Sequence, residues 1–249
     1  IHLPQLLSAI NTEVTALLLR RQYRRQLEQE RQRARGQYAQ LGELVAQAIA
    51  VPEAPAVTGR ELAFDVAMSS APKEGQRVCG DSLTYFTSGR NRLFLLLSDG
   101  MGSGREAQRE SLMTLRLLEQ FLKAGIEAEP ALKTLNAALN LRGDEEGSFT
   151  TIDLLCLDLN SRQAELYKYG AAPTYIKRQG SVRRLTGSAL PAGLQDWRDA
   201  PSPARFQLEE DAFLLMISDG VADSCGDQWL QNLLAGWQGE DPNVLVNLV

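Results

Sequence analysis

The 249 residues are 44% apolar with a net charge of −5, enough to bury one large domain with an appendage and too apolar for a disordered or collagen-like chain. Residues 1–50 hold seven Arg against four Glu, or +3, which leaves −8 for residues 51–249, and an acidic body suits cations rather than nucleic acid as principal ligand. Cys79, Cys156 and Cys225 are widely spaced with no C-x-x-C, so neither a disulfide framework nor a thiolate zinc site is indicated, and no apolar run approaches the ~18 residues a membrane span needs.

Residues 5–35 lack glycine and proline. Apolar Leu6, Ile10, Val14, Leu17 and Leu18 precede an arginine-rich half, the pattern of a long amphipathic helix that continues over residues 38–49 and stops at Pro52. Its apolar seam over residues 5–35 predicts homodimerisation or a partner helix. The Arg-rich half also admits nucleic acid or acidic lipid, a reading weakened by how common solvated Arg/Glu faces are. Residues 51–60, with Pro52, Pro55 and Gly59, read as a linker.

The body over residues 61–249 opens with an expected strand, Leu62 to Met68. A hairpin follows, Leu83–Thr87 and Arg92–Ser98, whose second strand is apolar enough to be central. Ser103 and Glu106 form an S-x-x-E capping box that predicts a helix with core positions Ala107, Leu115, Leu118, Phe121 and Leu122. A second helix is expected near Pro130, with Leu132, Leu135 and Leu139 on one face. Strands then return at residues 151–159, 164–169, 174–177, 182–185, 204–208 and 213–218, with hairpin turns at Asn160-Ser161 and Gln179-Gly180. Helices over residues 228–237 and from Pro242 close the chain. The fold class is α+β: an antiparallel β-sandwich flanked by helices, with a long N-terminal helix.

Asp99-Gly100 and Asp219-Gly220 each end an apolar run, and Asp81 lies 18 residues before Asp99. An ionised Asp beside an apolar interior needs a hydrogen-bonding or cationic partner. One could find an arginine; three at strand ends point to metal. A lone Asp-Gly is more often a turn residue bonded to its own backbone. Residues 100–104 read G-x-G-x-G, not the dinucleotide fingerprint, and the preceding Asp99 would repel a pyrophosphate. The single histidine, His2, is remote in sequence from the aspartates, which disfavours a Ser-His-Asp triad, a histidine-ligated zinc and a histidine proton donor. Cys79 lacks the C-x₅-R phosphate cradle, and Cys156 lies on an apolar strand, so both read as packing residues.

Taken in order, Gly80-Asp81-Ser82, Ser98-Asp99-Gly100-Met101-Gly102-Ser103-Gly104, Gly170-Ala171-Ala172-Pro173 and Ser218-Asp219-Gly220 resemble the motifs of metal-dependent protein phosphatases of the protein phosphatase 2C type. The Met-Gly-x-Gly continuation and the preceding helix look most like the stage II sporulation protein E family. The resemblance implies an α-β-β-α fold and a two-metal phosphoserine/phosphothreonine phosphatase using Mn²⁺ or Mg²⁺. It further implies that Asp99 bridges the ions, that the Gly100 carbonyl and Asp219 each hold one, and that Asp81 binds directly or through water. Lys73 and Arg77 are candidate substrate-phosphate contacts, and Asp223 a candidate accessory ligand.

The implied substrate is a phosphorylated anti-sigma-factor antagonist whose dephosphorylation activates a sporulation sigma factor. The implied location is the cytoplasm, with any membrane anchor preceding Ile1. The family's closing strand, preceded by Asp-Asp or Asp-Asn, is not found before Val249, so a core strand and one ligand are expected to be missing. The alternative reading is a catalytically silent phosphatase-like signalling or binding module.

Overall fold

The computed structural model describes residues 63–73, 75–89, 91–142, 149–194, 201–222 and 226–249. The helix and dimer seam expected over residues 5–35, the linker at 51–60, Cys225 and the candidate ligand Asp223 lie outside the described residues.

Two strands come first, β1 (Asp81–Ser88) and β2 (Arg92–Asp99), then two helices, α1 (Gly104–Lys123) and α2 (Ala128–Arg142). Strands β3 (Ile152–Asp158), β4 (Gln163–Tyr169), β5 (Thr174–Arg178), β6 (Ser181–Leu185), β7 (Ala204–Gln207) and β8 (Phe213–Met216) follow. The described chain closes with α3 (Asp219–Ala222), α4 (Gln228–Gly236) and α5 (Pro242–Leu248). The strands form a five-stranded sheet in the order β1-β2-β3-β4-β7 and a three-stranded sheet in the order β6-β5-β8, with antiparallel pairing throughout. The two-residue turn at Gln179-Gly180 has positive φ at both positions (47° and 81°), the conformation that matches the twist of a tight hairpin.

Period-two alternation sorts the apolar residues into three slabs. On β2, Phe94 and Leu96 face the α1/α2 layer while Leu93 and Leu95 face the second sheet; on β3, Ile152 and Leu154 face the helices while Leu155 and Leu157 turn inward. Ile176, Leu214 and Met216 meet that inner slab from the three-stranded sheet. Tyr175, Leu215 and Ile217 point the other way, onto Leu230 and Leu234 of α4 and Leu245 of α5. Helices, sheet, sheet and helices therefore stack in four layers, as the order of expected strands and helices predicts. The stripe Ala107, Leu115, Leu118 and Leu122 of α1 is fully buried, and Phe121 is half-buried.

Two local expectations fail. Residues 63–70 form no strand and are largely exposed: a strand is stabilised only where a neighbour pairs with it, and β1 is the outer strand of its sheet. The capping box is not closed either: Ser103 occupies the N-cap with an extended backbone, but its side chain makes no capping bond. Gly102 and Gly104, with φ of 88° and 77°, shape that entry instead.

Candidate functional site

The antiparallel register pairs Asp81 at the start of β1 with Asp99 at the end of β2. Both carboxylates thus stand at one mouth of the five-stranded sheet. The backbone of Asp99 is clamped from the next strand: Thr150 Oγ1 donates to the Asp99 carbonyl at 2.6 Å, Thr151 N donates to the same carbonyl at 2.9 Å, and Asp99 N donates to Thr151 Oγ1 at 3.1 Å. Buried Ser98 completes the clamp with bonds to Thr150 Oγ1 (2.9 Å) and the Thr151 carbonyl (2.8 Å).

The start of β1 is tied to α1 through buried Ser111. Its hydroxyl donates to the Gly80 carbonyl at 2.6 Å and lies 2.8 Å from Ser82 Oγ. Gly100 is required by the same helix, since a Cβ there would fall 2.0 Å from the Ala107 carbonyl oxygen. The resemblance implies a role in ion binding for the Gly100 carbonyl; helix packing is the constraint on the glycine itself that the structure shows.

Asp219 arrives from the second sheet. It follows β8 and opens α3, with the Ser218 carbonyl accepting from Val221 N and Ala222 N at 3.2 Å. Burial is the main reason that the Asp99 carboxyl is pushed up to about 8, and Asp81 and then Asp219 add to the shift as negative neighbours. Burial also pushes the Cys79 thiol up, partly offset by the Asp81 backbone. The three aspartates singled out by spacing are therefore brought together around Asp99. They do not close into a finished ligand set: among the described residues no group of three or more His, Cys, Asp or Glu side chains stands in ion-holding geometry. The donor chemistry still fits a divalent cation, because three oxygen ligands that repel one another are stabilised together by positive charge.

Lys73 and Arg77 are exposed on the loop before β1. Between them, Gln76 Oε1 lies 3.1 Å from where a Gly104 Cβ would be, so this loop borders the glycine-rich turn after Asp99. Sequence reasoning missed Ser111, Thr150 and Thr151, for which the only local signal is a pair of threonines ahead of an apolar strand.

Two antiparallel sheets face to face, helices on both outer sides and acidic strand ends at one mouth define a domain with the fold of PP2C-type phosphatases. The chain belongs to the stage II sporulation protein E (SpoIIE) family, whose pattern matches residues 89–246. It is 33% identical over 190 residues to stage II sporulation protein E of Priestia megaterium, covering 74% of this chain and 32% of that protein. Against the Bacillus subtilis (strain 168) protein it is 34% identical over 184 residues, covering 72% and 22%. It thus spans about a third or less of the length of these relatives. The solved PP2C phosphatase domain of Bacillus subtilis SpoIIE, with a fragment of its regulatory domain, superimposes with a TM-score of 0.65 at 33% identity, over 72% of this chain and 54% of that one. Among the described residues no helix is long and apolar enough to cross a membrane.

Proposed function

We propose that residues 61–249 act as a divalent-metal-dependent phosphoserine/phosphothreonine protein phosphatase domain, preceded by the linker and regulatory helix of residues 1–60. The observation that carries this reading is the meeting of Asp81, Asp99 and Asp219 from two different sheets, with Asp99 held near pKa 8 by burial and by its acidic neighbours. Hard ions such as Mn²⁺ or Mg²⁺ prefer carboxylate, carbonyl and water oxygens. Asp99 would bridge two of them, with the Gly100 carbonyl, Asp219 and Asp81 as further ligands. Two bound ions neutralise phosphate charge and make a bound water more acidic.

The chain's own residues do the rest. Asp99 would serve such ions as an ionised oxygen ligand, and the hydrogen bonds from Thr150 and Thr151 hold its backbone in place. Lys73 and Arg77, on the bordering loop, are proposed to attract the substrate phosphate. Membership of the family supports a phosphorylated anti-sigma-factor antagonist as substrate, activation of a sporulation sigma factor as outcome, and a cytoplasmic setting. Homodimerisation through residues 5–35 is a further part of the reading, and identical solution masses with and without residues 1–50 would end it.

The test is phosphate release from a phosphoserine protein by the full chain with Mn²⁺. Release should vanish with a chelator and fall at least ~10²-fold in Asp99→Asn. A second reading, a silent module that binds a phosphoprotein, is favoured by the open ligand set. Mn²⁺ binding without release from any substrate would establish it instead.

A further inference from the structure

Between the two sheets, at the end that carries the aspartates, lies a fully buried charged cluster that the chemistry above does not use. Asp153 on β3 is 0% exposed and Lys168 on β4 is 4% exposed. Lys168 Nζ donates to Asp153 Oδ2 at 2.5 Å and to the Ala172 carbonyl at 2.6 Å, and Thr174 Oγ1 on β5 donates to the same Asp153 Oδ2 at 2.9 Å. Asp153 Oδ1 has no hydrogen-bond partner among the described residues. The stem of Lys168 is covered by Gly187, where a Cβ would fall 2.6 Å from the lysine Cβ.

A buried ion pair is weak evidence for stability, because an apolar replacement of similar volume is often neutral or stabilising. Something other than stability has to account for a cluster placed here, and topology supplies it. Asp153 and Lys168 belong to the five-stranded sheet that carries Asp81 and Asp99. Thr174 belongs to the other sheet, where it pairs with Met216 three residues before Asp219. The Thr174–Asp153 bond therefore crosses from one sheet to the other, and the Lys168–Ala172 bond fixes the Gly170–Pro173 segment in which the chain makes that crossing.

We propose that Asp153, Lys168 and Thr174 are positioning residues that set the distance between the two halves of the acidic site, and so its affinity for a divalent cation. The inference rests on the metal reading given above. It assigns specificity of geometry, not catalysis, to the pair.

The experiment measures Mn²⁺ binding to the full chain by titration calorimetry, with amide hydrogen exchange of Val221 and Ala222 followed in the metal-free protein. Thr174→Val removes only the cross-sheet bond at nearly constant volume, and it should weaken Mn²⁺ binding about tenfold and speed exchange of both amides. Thr174→Ser, which restores the hydroxyl, should recover both. The double variant Asp153→Leu/Lys168→Met should stay folded by circular dichroism and bind at least tenfold more weakly. Unaltered affinity in folded Thr174→Val, or no recovery in Thr174→Ser, overturns the inference, whether or not the double variant folds. Absence of Mn²⁺ heat in the unaltered protein defeats the metal reading; exchange then decides alone, with faster exchange in Thr174→Val supporting the cross-sheet role and equal exchange overturning it.

Discussion

Asp99 and Asp153 stand on neighbouring strands, two residues apart in register, and burial pushes both carboxyls above the usual range. Their surroundings are opposite. Asp153 is met by a lysine ammonium and a threonine hydroxyl, both of which pull its pKa back down. The neighbours that act on Asp99 are the carboxylates of Asp81 and Asp219, which push it further up. Desolvation is common to both carboxyls; the sign of their neighbours is what separates them.

The largest expected effect comes from making the paired site resemble the unpaired one. Lys168→Ala leaves Asp153 buried without its cation and should destabilise the fold by about 3–5 kcal/mol, read as a lowered urea midpoint at constant m-value. The loss should shrink markedly in the double variant that also replaces Asp153, and equal losses would erase the distinction between pair and site.

A smaller effect concerns Asp99 and pH. Its folded-state pKa is raised, so in chelator-treated protein the folded state holds a proton that the unfolded state has already lost between roughly pH 4 and pH 8. Stability contributed by the protonated carboxyl is complete below the unfolded pKa and declines as pH rises through that window. The melting temperature should fall accordingly, less steeply in Asp99→Asn, while added Mn²⁺ should counter the fall. A wild-type slope in Asp99→Asn would show that other groups dominate.

The smallest effect tests how β1 is held. Ser111→Ala removes the bonds to Gly80 and Ser82 that anchor Asp81 opposite Asp99, and should cost about 1–2 kcal/mol in denaturant titration, with a weaker response of stability to Mn²⁺. An unchanged response would mean that strand pairing alone positions Asp81.

The apolar runs of β2, β3 and β8 were legible in the sequence, because burial on two faces leaves a dense apolar signal, whereas their division among three slabs is seen only in the structure. Asp99 and Asp219 were legible for the converse reason, since charge at the end of such a run conflicts with its surroundings, whereas Asp81 was legible only through its spacing from Asp99 and the ordered motifs. Thr150, Thr151 and Ser111 were not, since each acts through a partner 29 to 53 residues away and is an ordinary polar residue locally. The strand expected at Leu62 to Met68 misled because a local run of apolar residues does not record whether a neighbouring strand exists to pair with it. Asp153 and Lys168 did leave a trace, opposite charges inside two interior strands, yet only the register places them together.

The division of the interior into three separate slabs also bears on how such a chain diverges. A side chain on β2 or β3 touches either the helical layer or the opposing sheet, so a change of volume is absorbed within one slab while its neighbours in the strand keep the other intact. A lineage can thus rework its interior one layer at a time. The aspartates sit where both sheets end, and every such revision must leave their separation undisturbed.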